Sequence, residues 1–186
     1  MKNKFKKGFS LAELLITISI ITIGLLGIAF IAQRGVRYIS TAYNQLIAAY
    51  LAQEGVEIIK NIRDGNYLEL LSGSISAWDE GIGDDCASDV CCYEVEVGML
   101  GVEDPLLTKR NEGVCNFSNL RFLRYDSNVY NYSSGSTTPF KRGIEIKKVP
   151  GNPDTKEITV KVFWEEKGKV KAFYPLKEKI FNWWGY

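Results

Sequence analysis

From Leu14 to Ala32 the chain runs for nineteen residues without a formal charge, most of them Ile, Leu or small. At a rise of 1.5 Å per residue such a run matches the ~30 Å hydrocarbon core of a bilayer, where only a helix satisfies its own backbone. The segment therefore reads as one transmembrane helix. Lys2, Lys4, Lys6 and Lys7 precede it without an acid among them, which places the N-terminus in the cytoplasm and everything after about Arg34 outside. The expected location is a single pass of the cytoplasmic (inner) membrane. An ordinary secretory signal has an apolar region of only about 7 to 15 residues followed by a small-residue cleavage site, and "GIAFIAQRG" offers no A-x-A.

The 186 residues suffice for this segment and one domain with a real core. The net charge of +1 hides an asymmetry, since the residues after position 8 sum to −3. No basic field of the kind that grips nucleic acid remains, and no nucleic-acid partner is inferred. The chain contains no histidine, which removes the commonest general base and metal ligand and any Ser-His or Cys-His pair. No motif asks for a cofactor.

Glu13 is the anomaly, because a carboxylate at a bilayer centre costs about 2.5 to 3.5 kcal/mol even on insertion scales. Its context is ordered: a short basic leader, Gly8, Phe9, Ser10, Leu11, Ala12, Glu13, then the apolar run. The stretch "KKGFSLAELLITISI" resembles the signal of type IV pilin and pseudopilin precursors. The resemblance implies cleavage between Gly8 and Phe9 by a prepilin peptidase, methylation of the new Phe9 amine, and a role for Glu13 in facing the N-terminal amine of a neighbouring subunit. Electrostatics agrees, since an opposite charge within about 4 to 6 Å favours an ionised carboxylate. Within one chain Phe9 N and Glu13 lie roughly 6 Å apart along the axis, so a neighbour offset along a fibre comes closer. Ser10 and Thr17 are expected to return their hydroxyls to their own helix.

Beyond Arg34 the chain stays helical in pattern, with no proline before Pro105. Ile39, Tyr43, Leu46, Ile47, Tyr50, Leu51, Ile58 and Ile62 form one broad stripe expected to pack on a head domain, with Glu54 and Glu57 in the same arc. Ala48, Ala52 and Val56 make a small-residue ridge suited to a second helix. Asp64-Gly65-Asn66 is a turn signal that ends the helix, giving roughly 84 Å from Phe9. Many relatives bend at a proline where Phe30 stands here, so Gly24, Gly27 and Gly35 are the remaining soft points. The stretch "AYLAQEGVEIIKNIRDGNYL" resembles pilins of the PilV type, minor subunits also called modification proteins.

In the exported part, "LLSGSISAWDEGIGDDCASD" reads as an exposed acidic loop. Asp79, Glu80, Asp84, Asp85 and Asp89 are weak calcium candidates, the metal being found in some related pseudopilins, but their spacing fits no EF-hand. Solvated carboxylates are the better reading. Cys86, Cys91, Cys92 and Cys115 favour two disulfides in that compartment. Adjacent strand residues point to opposite faces, so Cys91 and Cys92 do not pair with each other; one reaches Cys86 and the other Cys115. Alternation predicts a strand from Tyr93, another in "RGIEIKKV" with Ile144 and Ile146 inward, and a hairpin with Ile158, Val160, Val162 and Trp164 on one face, a Glu166-Lys167-Gly168 turn, then Val170, Ala172 and Tyr174. "NVYNYSSGSTTP" reads as an exposed contact loop, and Trp183, Trp184 and Tyr186 as closing the core.

The expected fold class is α+β, a long N-terminal helix packed on an antiparallel β-meander head. Its parts are a leader (1–8), a transmembrane and assembly half-helix (9–32), an amphipathic half-helix (33–65) and a disulfide-bearing head (66–186). The expected function is structural: a minor pilin or pseudopilin of a type IV pilus or related fibre, not an enzyme. Its partners would be other pilin subunits, the prepilin peptidase and methyltransferase, the pilus assembly platform and the membrane. A membrane-anchored binding protein that joins no fibre is the competing reading, with an anchored carboxylate or metal enzyme third.

Overall fold

The computed structural model describes residues 10–96 and 106–183. The chain is α+β: α1 (Leu11–Ser72) is followed by strands β1 (Val90–Glu96), β2 (Leu106–Glu112), β3 (Arg124–Asp126), β4 (Val129–Asn131), β5 (Ser136–Thr137), β6 (Phe140–Val149), β7 (Asn152–Glu166), β8 (Lys169–Ala172) and β9 (Leu176–Phe181). Two compact units meet between Tyr43 and Asn44. α1 is continuous through Gly24, Gly27 and Gly35. In the first unit its large apolar side chains are exposed, from Leu11 to Ile39, and the helix is long and apolar enough to cross a membrane. Thr17, Ser19 and Thr22 return their hydroxyls to carbonyls three or four residues back, so these polar groups are satisfied within the helix.

In the second unit an antiparallel sheet runs in the order β2-β1-β6-β7-β8, with β9 also on β7. The order is a meander only from β6 to β8, because β1 pairs with β6 across the intervening β2 to β5. β8 and β9 lie end to end along one edge of β7, on Phe163–Glu166 and Thr155–Val160 respectively. Pro175, between them, has no N–H to give the ladder. The β7–β8 turn uses Lys167 (φ 53°) and Gly168 (φ 72°), two successive positive angles that suit a tight hairpin. Ile158, Val160, Val162 and Trp164 are buried on one face as alternation predicts, whereas Val170 and Tyr174 are exposed.

The helix meets this sheet along a face shifted from its apolar stripe. Leu51 and Ile58 of the stripe are buried and Ile47 and Ile62 pack against the core, but Ala48, Ala52, Gly55, Val56 and Ile59 are buried beside them while Ile39, Tyr43, Leu46 and Tyr50 stay exposed. The small-residue ridge thus receives the sheet rather than a second helix. Backbone proximity selects it: a Cβ on Gly55 would stand 3.0 Å from Val160 Cγ1. Arg142, fully buried on β6, crosses the same seam, its guanidinium 2.5 Å from Glu54 Oε2 and donating to the carbonyls of Leu51 and Val95. Glu54, the flaw in the predicted stripe, is this cation's partner.

The helix also passes through Asp64-Gly65-Asn66, eight residues beyond Asp64 to Ser72. Tertiary contact overrides the local turn signal there: Asn66 donates to the carbonyls of Trp78 and Glu80, and Tyr67 is buried. The true end is at Gly73 (φ 75°), where Gly73 N and Ser74 N bond the carbonyls of Leu70 and Glu69 in a Schellman pattern. The loop that follows is not wholly exposed, since Trp78 and Ile82 enter the core. Likewise "NVYNYSSGSTTP" is not an open loop but most of a small sheet, β4-β3-β5, with Asn131 and Tyr132 buried. Trp183 is half exposed and rests on Tyr67 at 4.6 Å between ring centres; Trp184 and Tyr186 lie outside the described residues.

Replacing Glu54 by Leu leaves the Arg142 cation without its partner and is expected to cost about 3 kcal/mol. Adding Arg142→Met to that variant should restore most of the loss in a thermal unfolding comparison; equal destabilisation of the single and double variants would show that the pair does not clamp the helix.

Candidate processing and assembly site

Gly8 and Phe9 lie outside the described residues; the described chain opens at Ser10, whose carbonyl accepts the Leu14 N–H at 3.1 Å. Glu13 stands in the first turn of α1 and is exposed. A carboxylate there faces unpaired backbone N–H groups and the positive end of the helix dipole, an interaction worth about 0.3 to 1 kcal/mol at an exposed site. The helix thus supplies part of what a buried charge needs. Around it Leu11, Leu14, Leu15 and Ile16 are all more than half exposed. The arrangement is one carboxylate at the start of an otherwise apolar, uncovered rod.

The second unit carries its chemistry as staples. Cys86 bonds Cys91 and Cys92 bonds Cys115, one from each adjacent cysteine as the strand geometry predicts. The first pair joins the main core, and the second lies with Leu120 and Phe163 on the opposite face of the sheet. Gly143 makes that approach possible, because a Cβ there would stand 2.7 Å from Cys115 Sγ. Glu94, buried on β1, accepts from the Arg121 backbone N–H at 2.5 Å and from its guanidinium at 2.6 Å, holding the same cover down.

The acidic candidates are engaged separately. Asp79 pairs with the buried Lys156 at 2.8 Å, and that lysine also donates to the Ile82 carbonyl. Glu80 accepts from Ser76 N, and Asp84 accepts from Gly81 N and Asp85 N. Asp85 accepts the Tyr93 hydroxyl at 2.6 Å, while Asp89 offers its backbone carbonyl to Lys148 N. Burial first, and then Asp85, push the Tyr93 phenol up. Among the described residues the one gathering of three ligand-type side chains is Cys86, Cys91 and Glu112, and both cysteines are already in a disulfide. The Ser88 hydroxyl at 2.8 Å, and then Lys109 at 3.0 Å, hold the Glu112 carboxyl down at about 2.

Sequence reasoning did not single out Arg142, Glu94 or Glu112. A signal existed for Arg142: it keeps the inward phase of Phe140, Ile144 and Ile146 on β6, and a charge at such a position needs a buried partner.

Residues 3–29 match the family model described as the prokaryotic N-terminal methylation motif. The match takes in Gly8, Phe9 and Glu13 and supports a type IV pilin-like precursor, a structural rather than enzymatic class that is anchored through an N-terminal apolar helix. No curated protein and no solved structure matches the chain.

Two outcomes are expected of this site. On loop length alone, opening Cys92–Cys115 (separation 23) by a paired serine substitution costs about 3 kcal/mol, against about 2 for Cys86–Cys91 (separation 5), read as the difference in unfolding midpoint; equal losses would contradict it. Because the Glu112 value lies below the ordinary carboxylate range, its bonds to Ser88 are complete above that range and fade as pH falls toward 2. An NMR titration of Glu112 together with exchange of the Ser88 amide checks this, and a midpoint near 4.5 would refute it.

Proposed function

We propose that this chain is a structural fibre subunit, a minor pilin or pseudopilin of the modification-protein type. It waits in the inner membrane, is cut between Gly8 and Phe9, is methylated at Phe9, and enters a type IV pilus or related fibre through its N-terminal helix. The observation that carries the reading is the coincidence of the methylation motif at residues 3–29 with a helix that exposes its large apolar side chains from Leu11 to Leu46. Such a surface is stable in lipid or against other helices, and the motif marks the bond whose cleavage frees it for the second.

Glu13 connects the two states. In the bilayer its charge is helped only by the helix terminus, whereas in a fibre the new amine of a neighbour's Phe9 offsets it more fully. The proposed partners are therefore other subunits of the same kind, the prepilin peptidase and methyltransferase, and the assembly platform. The exported unit, with both sheet faces covered and two disulfides, is the part such a fibre displays.

Glu13→Ala is expected to insert and be cleaved normally while its incorporation into sheared filaments falls about tenfold, the equivalent of one lost ion pair of roughly 1.4 kcal/mol. Mass spectrometry of the filaments and of the membrane fraction reads both quantities. An intact Met1 on the mature membrane form would instead favour an anchored binding protein that joins no fibre.

A further inference from the structure

The order Asn-x-Ser occurs twice in the second unit, at Asn116-Phe117-Ser118 and at Asn131-Tyr132-Ser133. In an exported chain that order marks an asparagine able to accept a sugar on its side-chain amide, provided the amide stands at the surface. The fold treats the two differently. Asn131 is 4% exposed, its Oδ1 is taken by the Ser133 and Ser134 N–H groups at 2.9 and 2.8 Å, and its Nδ2 is closed off from solvent. Asn116 is exposed and follows Cys115 directly, so the Cys92–Cys115 disulfide holds it on the face of the sheet opposite α1. A bulky group on that face leaves the helix seam undisturbed.

We infer that Asn116 is a site of N-glycosylation, an inference that rests on the exported placement of this unit in the reading above. A carboxamide nitrogen is a poor nucleophile because its lone pair is delocalised onto the carbonyl oxygen, as in a peptide bond. The turn at Asn116 offsets this. Its Oδ1 accepts the Ser118 hydroxyl at 2.6 Å and the N–H groups of Ser118 and Asn119 at 3.1 and 3.2 Å. Three donors stabilise negative charge on that oxygen, so Nδ2 releases a proton more readily as a new bond to it forms. Nδ2 itself has no hydrogen-bond partner among the described residues and is open to an incoming group. The co-reactant is a sugar chain carried on a lipid diphosphate in the membrane. Nδ2 forms a bond to the anomeric carbon, the bond from that carbon to the diphosphate oxygen breaks, the lipid diphosphate leaves with the electron pair, and one amide proton is released. Ser118 is a positioning residue in this step, since its hydroxyl touches only the amide oxygen and is not itself modified.

The test is mass spectrometry of the full-length chain purified from the membranes and filaments of its own cells, with the redox state of the cysteines read in the same spectra. The expected result is oxidised cysteines and a sugar-sized mass increment on the peptide that contains Asn116. The increment is absent from Asn116→Gln, falls on the order of tenfold or more in Ser118→Ala, returns in Ser118→Thr and is unchanged in Ser133→Ala. Formation of Cys92–Cys115 in each variant shows that the covering segment still closes on the sheet. An oxidised chain with no increment at Asn116 overturns the modification and leaves the exported placement intact. Reduced cysteines together with no increment overturn both. An increment on Asn131 or on a serine hydroxyl in place of Asn116, or undiminished occupancy in Ser118→Ala, overturns the assignment of the site.

Discussion

The close approach of α1 to the sheet is the constraint on which the second unit depends. It requires small side chains at Ala48, Ala52 and Gly55, and it draws the buried Arg142 against Glu54 and the Leu51 carbonyl. A cation taken out of water needs a counter-charge, and Glu54 meets it at Nη1 while Nε of Arg142 finds no partner among the described residues, so the pairing fixes where the helix sits along and around its axis. That choice also decides what remains outside. By turning its small face to the sheet, the helix leaves Leu46 and Tyr50 exposed, and with them a groove beside the small sheet.

The opposite face of the sheet is covered by chain rather than by helix. Residues 113–123 lie across it, tied by Cys92–Cys115, by Glu94 to Arg121 and by the Glu145 carboxylate, which accepts the Cys115 N–H at 2.7 Å. Both faces of β1 and β6 are therefore buried, which explains why β6 is buried without alternation from Phe140 to Ile146. Charged groups are compensated locally on both sides of the sheet: in this layer Lys161 pairs with Glu145 and Lys141 donates to the Phe117 carbonyl, and on the helix side Lys156 pairs with Asp79.

What was legible in the sequence followed from strong local patterns. The charge-free run, the alternation in β6 and β7, and the opposite fates of Cys91 and Cys92 all rest on periodicity or covalent geometry, and the motif matched at residues 3–29 rests on a fixed order of residues. What was not legible depended on contacts between distant parts. The hydrophobicity of Ile39, Tyr43 and Tyr50 outweighs that of Ala48 and Ala52, yet proximity to β7 favours the smaller residues. Asp64-Gly65-Asn66 has the composition of a stop, but Asn66 finds its partners in the loop after the helix and the turn never forms. Serine and glycine made residues 128–139 look loose, although Asn131 and Tyr132 are held inside.

The adjacent cysteines have a consequence for how such a head can vary. Because Cys91 and Cys92 point to opposite faces of one strand, each disulfide fastens a different covering: the 86–91 turn on the helix side and the 113–123 segment on the other. The two coverings share a strand but no side-chain core. Each can lengthen, shorten or change its surface chemistry while the other and the sheet between them stay in place, so the exterior is divided into two independently replaceable panels on one frame.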